Sequence, residues 1–283
     1  MSFIKKLKAL LEMTKPAQLG LLLVTVFGAY FAAGTPINIR NLLLLIPVGI
    51  GGIGGVTALN MYLEIDIDSI MKRTRKRPLP SRQLSKGEAI LGIILLILIG
   101  IIAADFINKY VVFAIIMGLL FDIIGYTELT KRTTASNILF GGVAGAMPSL
   151  GGWAAATGSL GIGGILLALI VLAWIPMHIW FIVYYHIDDY KNASIPMLPV
   201  VSNEKTFGSL VIFSIISLDV LVWLFYLLEG RGLIAASLST IFVLIALLKI
   251  KKFIGSPSKD NALSVFKFAN SVIATFFILA RFL

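Results

Sequence analysis

The sequence predicts an all-α polytopic membrane protein with nine transmembrane helices. Hydrophobic residues make up 58% of the 283 residues and charged residues only 13%, and the mean hydropathy is +0.97. A soluble domain carries roughly 25% charged residues, so this chain belongs to a different class. Its apolar segments are close to the ~20 residues that a helix needs to cross a bilayer. We therefore interpret residues 1–283 as one membrane domain.

The apolar segments follow one another with no soluble domain between them. In chain order they cover residues 17–33, 41–63, 88–107, 110–126, 137–157, 161–186, 207–228, 232–250 and 264–283. Small residues cluster inside two of them, at Gly49–Gly54 and at Gly141–Gly145. The first cluster matches the G-x-G-x-x-G pattern of dinucleotide sites, but it lies within a hydrophobic segment instead of following a strand. Both clusters instead predict close packing of transmembrane helices.

The basic residues predict the orientation of the chain. Of the 24 Lys and Arg residues, four (Arg40, Lys109, Arg231 and Arg281) lie at one side of the predicted bundle, which leaves 20 at the other. Those 20 occupy the N-terminal segment and the loops at 64–87, 127–136, 187–206 and 249–263, or lie beside the last loop, at Lys267. By the positive-inside rule this side is cytoplasmic, as is the N-terminus. The net charge of +10 is thus explained by topology in the bilayer of the cell membrane, and we expect no nucleic-acid partner.

The N-terminal segment, residues 1–16, is predicted to form a short amphipathic helix at the membrane interface. Ile4, Leu7 and Leu10 lie on one side, and Pro16 ends the pattern. A cleavage site for a signal peptide is not apparent. The chain has no cysteine, which excludes thiolate ligands and a cysteine nucleophile.

The first polar motif lies at the end of the second apolar segment. Asn60, Glu64 and Asp68 are separated by four-residue steps, so on a helix they share one face while Asp66 points away. A carboxylate in lipid costs about 2.5 to 3.5 kcal/mol at the helix centre, so these groups must face a polar cavity or the water boundary. Oxygen ligands of this kind suit Mg2+ that bridges to substrate phosphates. The basic run Lys72–Arg77 follows at once.

A second acidic helix end follows the sixth apolar segment. His178 and Asp189 are eleven residues apart and share a helix face, with Tyr185 between them. His178 would lie about 16 Å deeper than Asp189 at the helical rise of 1.5 Å per residue. A buried histidine bonded to a neighbouring helix is the alternative reading. The two acidic segments resemble each other, so we expect two related walls around one cavity.

A short polar loop between these helices carries Lys131 and Arg132. Arginine binds phosphate as a fork and lysine as a point charge. Their presence is also explained by the positive-inside rule alone.

Several of these motifs, taken in order, resemble the UbiA superfamily of intramembrane prenyltransferases, and in particular the branch that prenylates haem. The resemblance runs from about Thr14 to Val201. It rests on Asn60-x3-Glu64-x3-Asp68, Arg77-Pro78-Leu79-Pro80, Tyr126-Thr127 with Lys131-Arg132, Trp174-x3-His178 and Pro196-Met197-Leu198-Pro199.

The resemblance implies a helical bundle around a central cavity and a Mg2+-dependent transfer of a farnesyl or geranylgeranyl group from its diphosphate to the vinyl group of haem B. It assigns the metal to Asn60, Glu64, Asp68, Asp188 and Asp189, and the diphosphate to Arg73, Arg77, Lys131 and Arg132. It implies catalytic roles for Tyr126, Tyr185 and His178, the last of these beside the porphyrin or its iron.

Two alternatives stay open from the sequence. A related prenyltransferase could use another acceptor, either an aromatic ring or a glyceryl phosphate. A transporter also contains intramembrane carboxylates, but usually near the bilayer midplane instead of at helix ends.

Overall fold

The computed structural model describes residues 3–282, and for Phe3, Leu233 and Phe282 it describes the backbone only. Met1 and Ser2, at the start of the predicted N-terminal segment, and Leu283, at the end of the last predicted span, lie outside the described residues. All regular secondary structure within residues 3–282 is helical. The helices are α1 (Phe3–Met13), α2 (Pro16–Ala32), α3 (Ile39–Pro47), α4 (Gly54–Leu63), α5 (Ile65–Ile70), α6 (Lys86–Asp105), α7 (Lys109–Leu119), α8 (Asn137–Thr157), α9 (Ile162–Tyr185), α10 (Ile187–Asn192), α11 (Leu198–Val201), α12 (Glu204–Leu228), α13 (Leu233–Gly255) and α14 (Lys259–Phe282), with π-helical segments at Val48–Ile53 and Leu120–Thr130.

The described helices confirm the all-α polytopic class. Eight helical segments are long and apolar enough to cross a membrane, and nine if the bent pair α1 and α2 counts as one span. The last two spans differ from the predicted segments, because α13 continues to Gly255 and α14 begins at Lys259. Lysines near the end of α13 do not stop the helix, since their long apolar stems cover the helix surface while the charges reach water.

The helices pack as two connected groups. In the C-terminal half α9, α12, α13 and α14 contact one another in a closed ring around a continuous apolar core. In the N-terminal half α8 packs on α2 and α7, and α6 packs on α4. Contacts of α8 with α9 and of α2 with α14 join the groups. Both acidic motifs come to the same end of this assembly, the end that carries the loops at 71–85 and 131–136.

Small residues allow the helices of the N-terminal half to approach closely. A Cβ atom added to Gly100 of α6 would lie 2.1 Å from the backbone nitrogen of Gly52. One added to Gly152 of α8 would lie 2.0 Å from the carbonyl oxygen of Val26. The Gly49–Gly54 cluster therefore packs against another helix, as predicted.

Both acidic helices break at matching places. The helix α4 gives way to α5 at Glu64, with φ −100° and ψ 16°, and α9 gives way to α10 at His186, with φ −103° and ψ 28°. The helical path from Asn60 to Asp68 therefore contains a break at Glu64, although the backbone N–H groups of Glu64 and Asp68 still donate to the carbonyls four residues earlier, at 3.1 and 2.8 Å. Spacing alone could not reveal this break, because α5 is held by ion pairs to segments outside it.

The exposed carboxylates just after these breaks have equivalent partners. Asp66 pairs with Arg132 at 2.6 Å, and Asp188 pairs with Lys259 at 2.5 Å. Asp66 points away from the buried carboxylates, as the helical spacing predicted. Each pair ties a short helix to a distant part of the chain.

Candidate active site

A buried polar cluster surrounds the end of α4. The Asn60 amide donates to Glu64 Oε1 at 2.9 Å and to Thr127 Oγ1 at 2.8 Å. Lys131 Nζ also donates to Glu64 Oε1, and these two side chains form a buried ion pair. Glu64 and Asn60 are only 3% and 5% exposed. The predicted neighbours from two distant segments thus meet in the folded protein.

Charge pairing overcomes the cost of burial at this cluster. Burial alone would raise the pKa of Glu64, but the charges of Lys131 and Lys15 hold that pKa below its ordinary value. Burial alone would lower the pKa of Lys131, but the Glu64 carboxylate raises it above its ordinary value. Glu64 is therefore an ionised carboxylate and Lys131 a cation at neutral pH.

Two further residues of the cluster escaped prediction. Lys15 lies between α1 and α2 with φ 50°, and its ammonium donates to Asn60 Oδ1 at 2.9 Å. Burial, followed by the nearby Arg77 charge, lowers the pKa of Lys15 to about 8. Asp122 interacts electrostatically with Lys15, Glu64 and Lys131. Lys15 lies directly before Pro16, in the Thr14-Lys15-Pro16 run with which the resemblance begins, and this position could have drawn attention to it.

Asp68 is held by the loop that follows α5. Arg77 Nη1 donates to both carboxylate oxygens at 2.8 Å, and Thr74 Oγ1 donates to the Asp68 carbonyl at 3.0 Å. Asp68 is 2% exposed. Arg77 therefore neutralises a second buried carboxylate at the same wall.

The same loop reaches across to the second acidic motif. The backbone N–H groups of Lys72 and Arg73 donate to the two carboxylate oxygens of Asp189, each at 3.1 Å. Asp189 is buried whereas Asp188 is exposed, a distinction that the sequence left open. The loop at 71–77 therefore connects the two acidic walls.

Two of the basic residues predicted to bind the diphosphate, Arg132 and Arg73, lie outside the buried cluster around Glu64 and Asp68. Arg132 is at the surface, where its guanidinium donates to both oxygens of Asp66, at 2.6 and 2.9 Å. The Arg132 hydrogen bond holds the pKa of Asp66 below its ordinary value. Arg73 lies near His186, whose pKa is lowered by burial and then by the Arg73 charge.

The predicted aromatic residues line different depths of the site. The Tyr126 ring centroid is 5.2 Å from Lys131 Nζ, and the Tyr185 ring meets His186 edge-on at 4.7 Å. His178 lies deeper along α9, between the rings of Trp174 and Phe266. Tyr126 is thus beside the first wall and Tyr185 beside the second.

The donor atoms fit a divalent cation that arrives with its substrate. Asn60, Glu64, Asp68 and Asp189 supply buried oxygens, which Mg2+ prefers. Within residues 3–282, no three His, Cys, Asp or Glu side chains converge as a preformed metal site. Mg2+ is commonly held by one or two carboxylates plus substrate phosphates, so this set suits a metal–diphosphate complex more than a metal alone.

The described helices thus form an integral membrane protein with a buried cluster of acidic and basic groups at one end of its bundle. The model of the UbiA prenyltransferase family matches residues 21–272. The chain therefore belongs to this family and is an integral membrane prenyltransferase. It is 48% identical to the protoheme IX farnesyltransferase of Aeropyrum pernix, over 98% of this chain and 92% of that protein. It is 41% identical to the protoheme IX farnesyltransferase of Korarchaeum cryptofilum, over 96% and 92% of the two chains.

Solved structures share the fold. A digeranylgeranylglyceryl phosphate synthase superposes with a TM-score of 0.78 at 22% identity, over 98% of this chain and 99% of that one. A UbiA homologue from Archaeoglobus fulgidus bound to GPP and Mg2+ superposes with a TM-score of 0.71 at 12% identity, over 97% and 100%. At these identities the likeness concerns the fold alone.

Proposed function

We propose that this protein transfers a farnesyl or longer prenyl group from its diphosphate to the vinyl group of haem B, which yields haem O and pyrophosphate. The observation that carries this proposal is the buried cluster in which Glu64 pairs with Lys131 and Asp68 with Arg77. The full-length similarity to protoheme IX farnesyltransferases supports haem as the acceptor.

Mg2+ would be held by Asn60, Glu64 and Asp68 on one wall and by Asp189 on the other. Asp188, which is exposed, is a further candidate ligand on the second wall. When bound, Mg2+ supplies charge neutralisation for the diphosphate. A related structure, that of the Archaeoglobus fulgidus UbiA homologue, was bound to GPP and Mg2+.

The basic residues exchange partners when the diphosphate binds. Lys131 and Arg77 turn from Glu64 and Asp68 to phosphate oxygens, and Arg73 joins them from the connecting loop. Arg132 approaches the diphosphate from the exposed rim. These charges stabilise the departing pyrophosphate, so catalysis is mainly electrostatic.

The carbon–oxygen bond of the prenyl diphosphate breaks, and pyrophosphate leaves with the bonding electrons. The ring faces of Tyr126 and Tyr185 stabilise the allylic cation, at about 0.5 to 2 kcal/mol each. The haem vinyl group attacks that cation to form a carbon–carbon bond. Water then adds to the resulting cation and loses a proton, which gives a hydroxyalkyl product. His178 contacts the porphyrin or its iron.

The loops at this end of the bundle would face the cytoplasm, and the protein would lie in the cell membrane, since the basic residues gather at this end. An aromatic ring or a glyceryl phosphate is the alternative acceptor. A transporter is no longer an alternative, because the chain belongs to a prenyltransferase family.

The test is a membrane assay with haem B, Mg2+ and either farnesyl or geranylgeranyl diphosphate, with the porphyrin product identified by mass spectrometry. We expect a gain of one prenyl group plus water, and EDTA should abolish it. Membranes that contain an Asp189→Asn variant serve as the matched control. Prenylation of an aromatic acid or a glyceryl phosphate, with no haem product, would contradict haem as the acceptor.

A further inference from the structure

A layered stack of rings joins α9 to α14. The His178 imidazole lies against the Trp174 indole with ring centroids 4.5 Å apart and planes 27° apart. The imidazole also packs against Phe266 of α14, with centroids 4.8 Å apart and planes 36° apart. The Trp174 indole N–H donates to the Ala269 carbonyl at 2.7 Å, which anchors the stack on α14. Because these two rings pack against the imidazole, its nitrogen-bearing edge is the part left for a third group.

Two buried polar atoms in this region have no hydrogen-bond partner among the described residues. They are Nδ1 of His178 and Oδ1 of Asn270. Asn270 lies one helical turn beyond Phe266, whose ring packs against the imidazole, and directly follows Ala269, whose carbonyl binds Trp174. An unpaired polar atom in an apolar interior is unfavourable, so such an atom calls for an explanation. Rotation of the two side chains toward each other would let Nδ1–H donate to Oδ1 and would satisfy both atoms.

We infer that Asn270 is a positioning residue for His178. It accepts a hydrogen bond from Nδ1–H and so leaves Nε2 with a free lone pair. The hydrogen bond made by one imidazole nitrogen determines which nitrogen can bind a metal. This tautomer makes His178 an axial ligand for the iron of the haem substrate. The inference rests on the proposed function, because it requires that haem is the acceptor.

The surroundings of His178 favour this role over a purely structural one. The contacts described for its ring are two aromatic rings, and the neighbouring turn of α14 carries the unpaired Asn270 amide oxygen. The rings restrict the tilt of the imidazole, and the amide determines its protonated edge. Asn270 follows Ala269, whose carbonyl already holds Trp174, so one turn of α14 positions both residues of the Trp174-x3-His178 motif.

The experiment is a titration of the purified full-length protein in lipid nanodiscs with ferric haem B, followed by absorption and electron paramagnetic resonance spectra. Wild type should give the spectrum of an iron with a nitrogenous axial ligand, and His178→Ala should lose that spectrum. Asn270→Leu should bind ferric haem about tenfold more weakly, the lower end of the effect of removing an outer partner of a metal ligand. Asn270→Asp, which retains an acceptor oxygen, should restore binding.

Metal-free protoporphyrin IX separates positioning from folding. We expect Asn270→Leu to bind this porphyrin as wild type does, and the matched control Ser271→Ala, at the exposed next residue, to match wild type with both porphyrins. If Asn270→Leu does not fold, Asn270→Ala removes the amide with less steric change. An unchanged haem spectrum and affinity in these variants would overturn the inference, as would an equal loss of metal-free porphyrin binding. Prenyl transfer to haem by wild type is measured separately, and its absence would refute the proposed function.

Discussion

Lys131 and Glu64, 67 positions apart in the chain, form a buried ion pair in which the ammonium donates to Oε1. Asn60 donates to the same carboxylate oxygen. In the described structure each buried carboxylate of the two walls has a donor of its own, since Arg77 binds Asp68 and two backbone N–H groups bind Asp189. Glu64 and Asp68 are therefore each paired with a cation, while Asp189 is held by neutral backbone groups.

The ion pair between Lys131 and Glu64 predicts that a single variant is less stable than the double variant that removes both charges. Lys131→Met leaves the Glu64 carboxylate buried without its cation, which should cost about 3 to 5 kcal/mol of unfolding free energy. The double variant Lys131→Met with Glu64→Gln should recover much of this stability yet stay inactive. Thermal unfolding in detergent and the transfer assay would measure the two properties. Equal destabilisation of the single and double variants would contradict the pairing.

The adjacent carboxylates Asp188 and Asp189 form a natural pair for comparison. We expect Asp189→Asn to lower the transfer rate at least 100-fold, because the buried carboxylate faces the loop that joins the two walls. Asp188→Asn should lower it less than threefold, since this carboxylate is exposed and pairs with Lys259. Initial rates at saturating haem would test the difference. Similar losses in both variants would show that the exposed carboxylate also takes part.

Arg77 is predicted to bind the diphosphate after it leaves Asp68. Arg77→Gln should raise the KM for the prenyl diphosphate about tenfold or more, because a charge-assisted contact to phosphate is lost. The exposed Arg75 of the same loop is the control, and Arg75→Gln should leave KM nearly unchanged. An unaltered KM in Arg77→Gln would indicate that Arg77 only holds Asp68.

Removal of divalent metal should stop transfer without unfolding the protein. The carboxylates keep their partners Lys131 and Arg77 when metal is absent, so the bundle remains intact. Treatment with EDTA should abolish product formation while the unfolding temperature changes by less than a few degrees. Excess Mg2+ should restore the rate. A large fall in unfolding temperature with EDTA would instead point to a structural metal.

Arg231 is predicted to stabilise the far end of the bundle. Its guanidinium donates to the carbonyls of Ala32 and Ala280, near the ends of α2 and α14. Arg231→Met would leave these carbonyls unpaired and should cost about 1 to 3 kcal/mol of stability, with the KM values unchanged. The exposed Arg40 provides the control variant Arg40→Met. A changed KM for diphosphate would show that this end also affects the site.

The sequence alone determined the membrane class, the succession of helices and the two acidic ends. These properties follow from local chemistry, because hydrophobic length decides which segments can cross a bilayer. Helical periodicity also separated Asp66 from the carboxylates that became buried.

Tertiary structure decided which polar groups meet. The contacts of Lys15 with Asn60 and of the Lys72 backbone with Asp189 join segments far apart in the chain. It also decided that Asp189 is buried while Asp188 faces outward, and it placed Asn270 beside His178. Helix packing and the course of the connecting loops determine these pairings, and neither can be deduced from the spacing of residues within one helix.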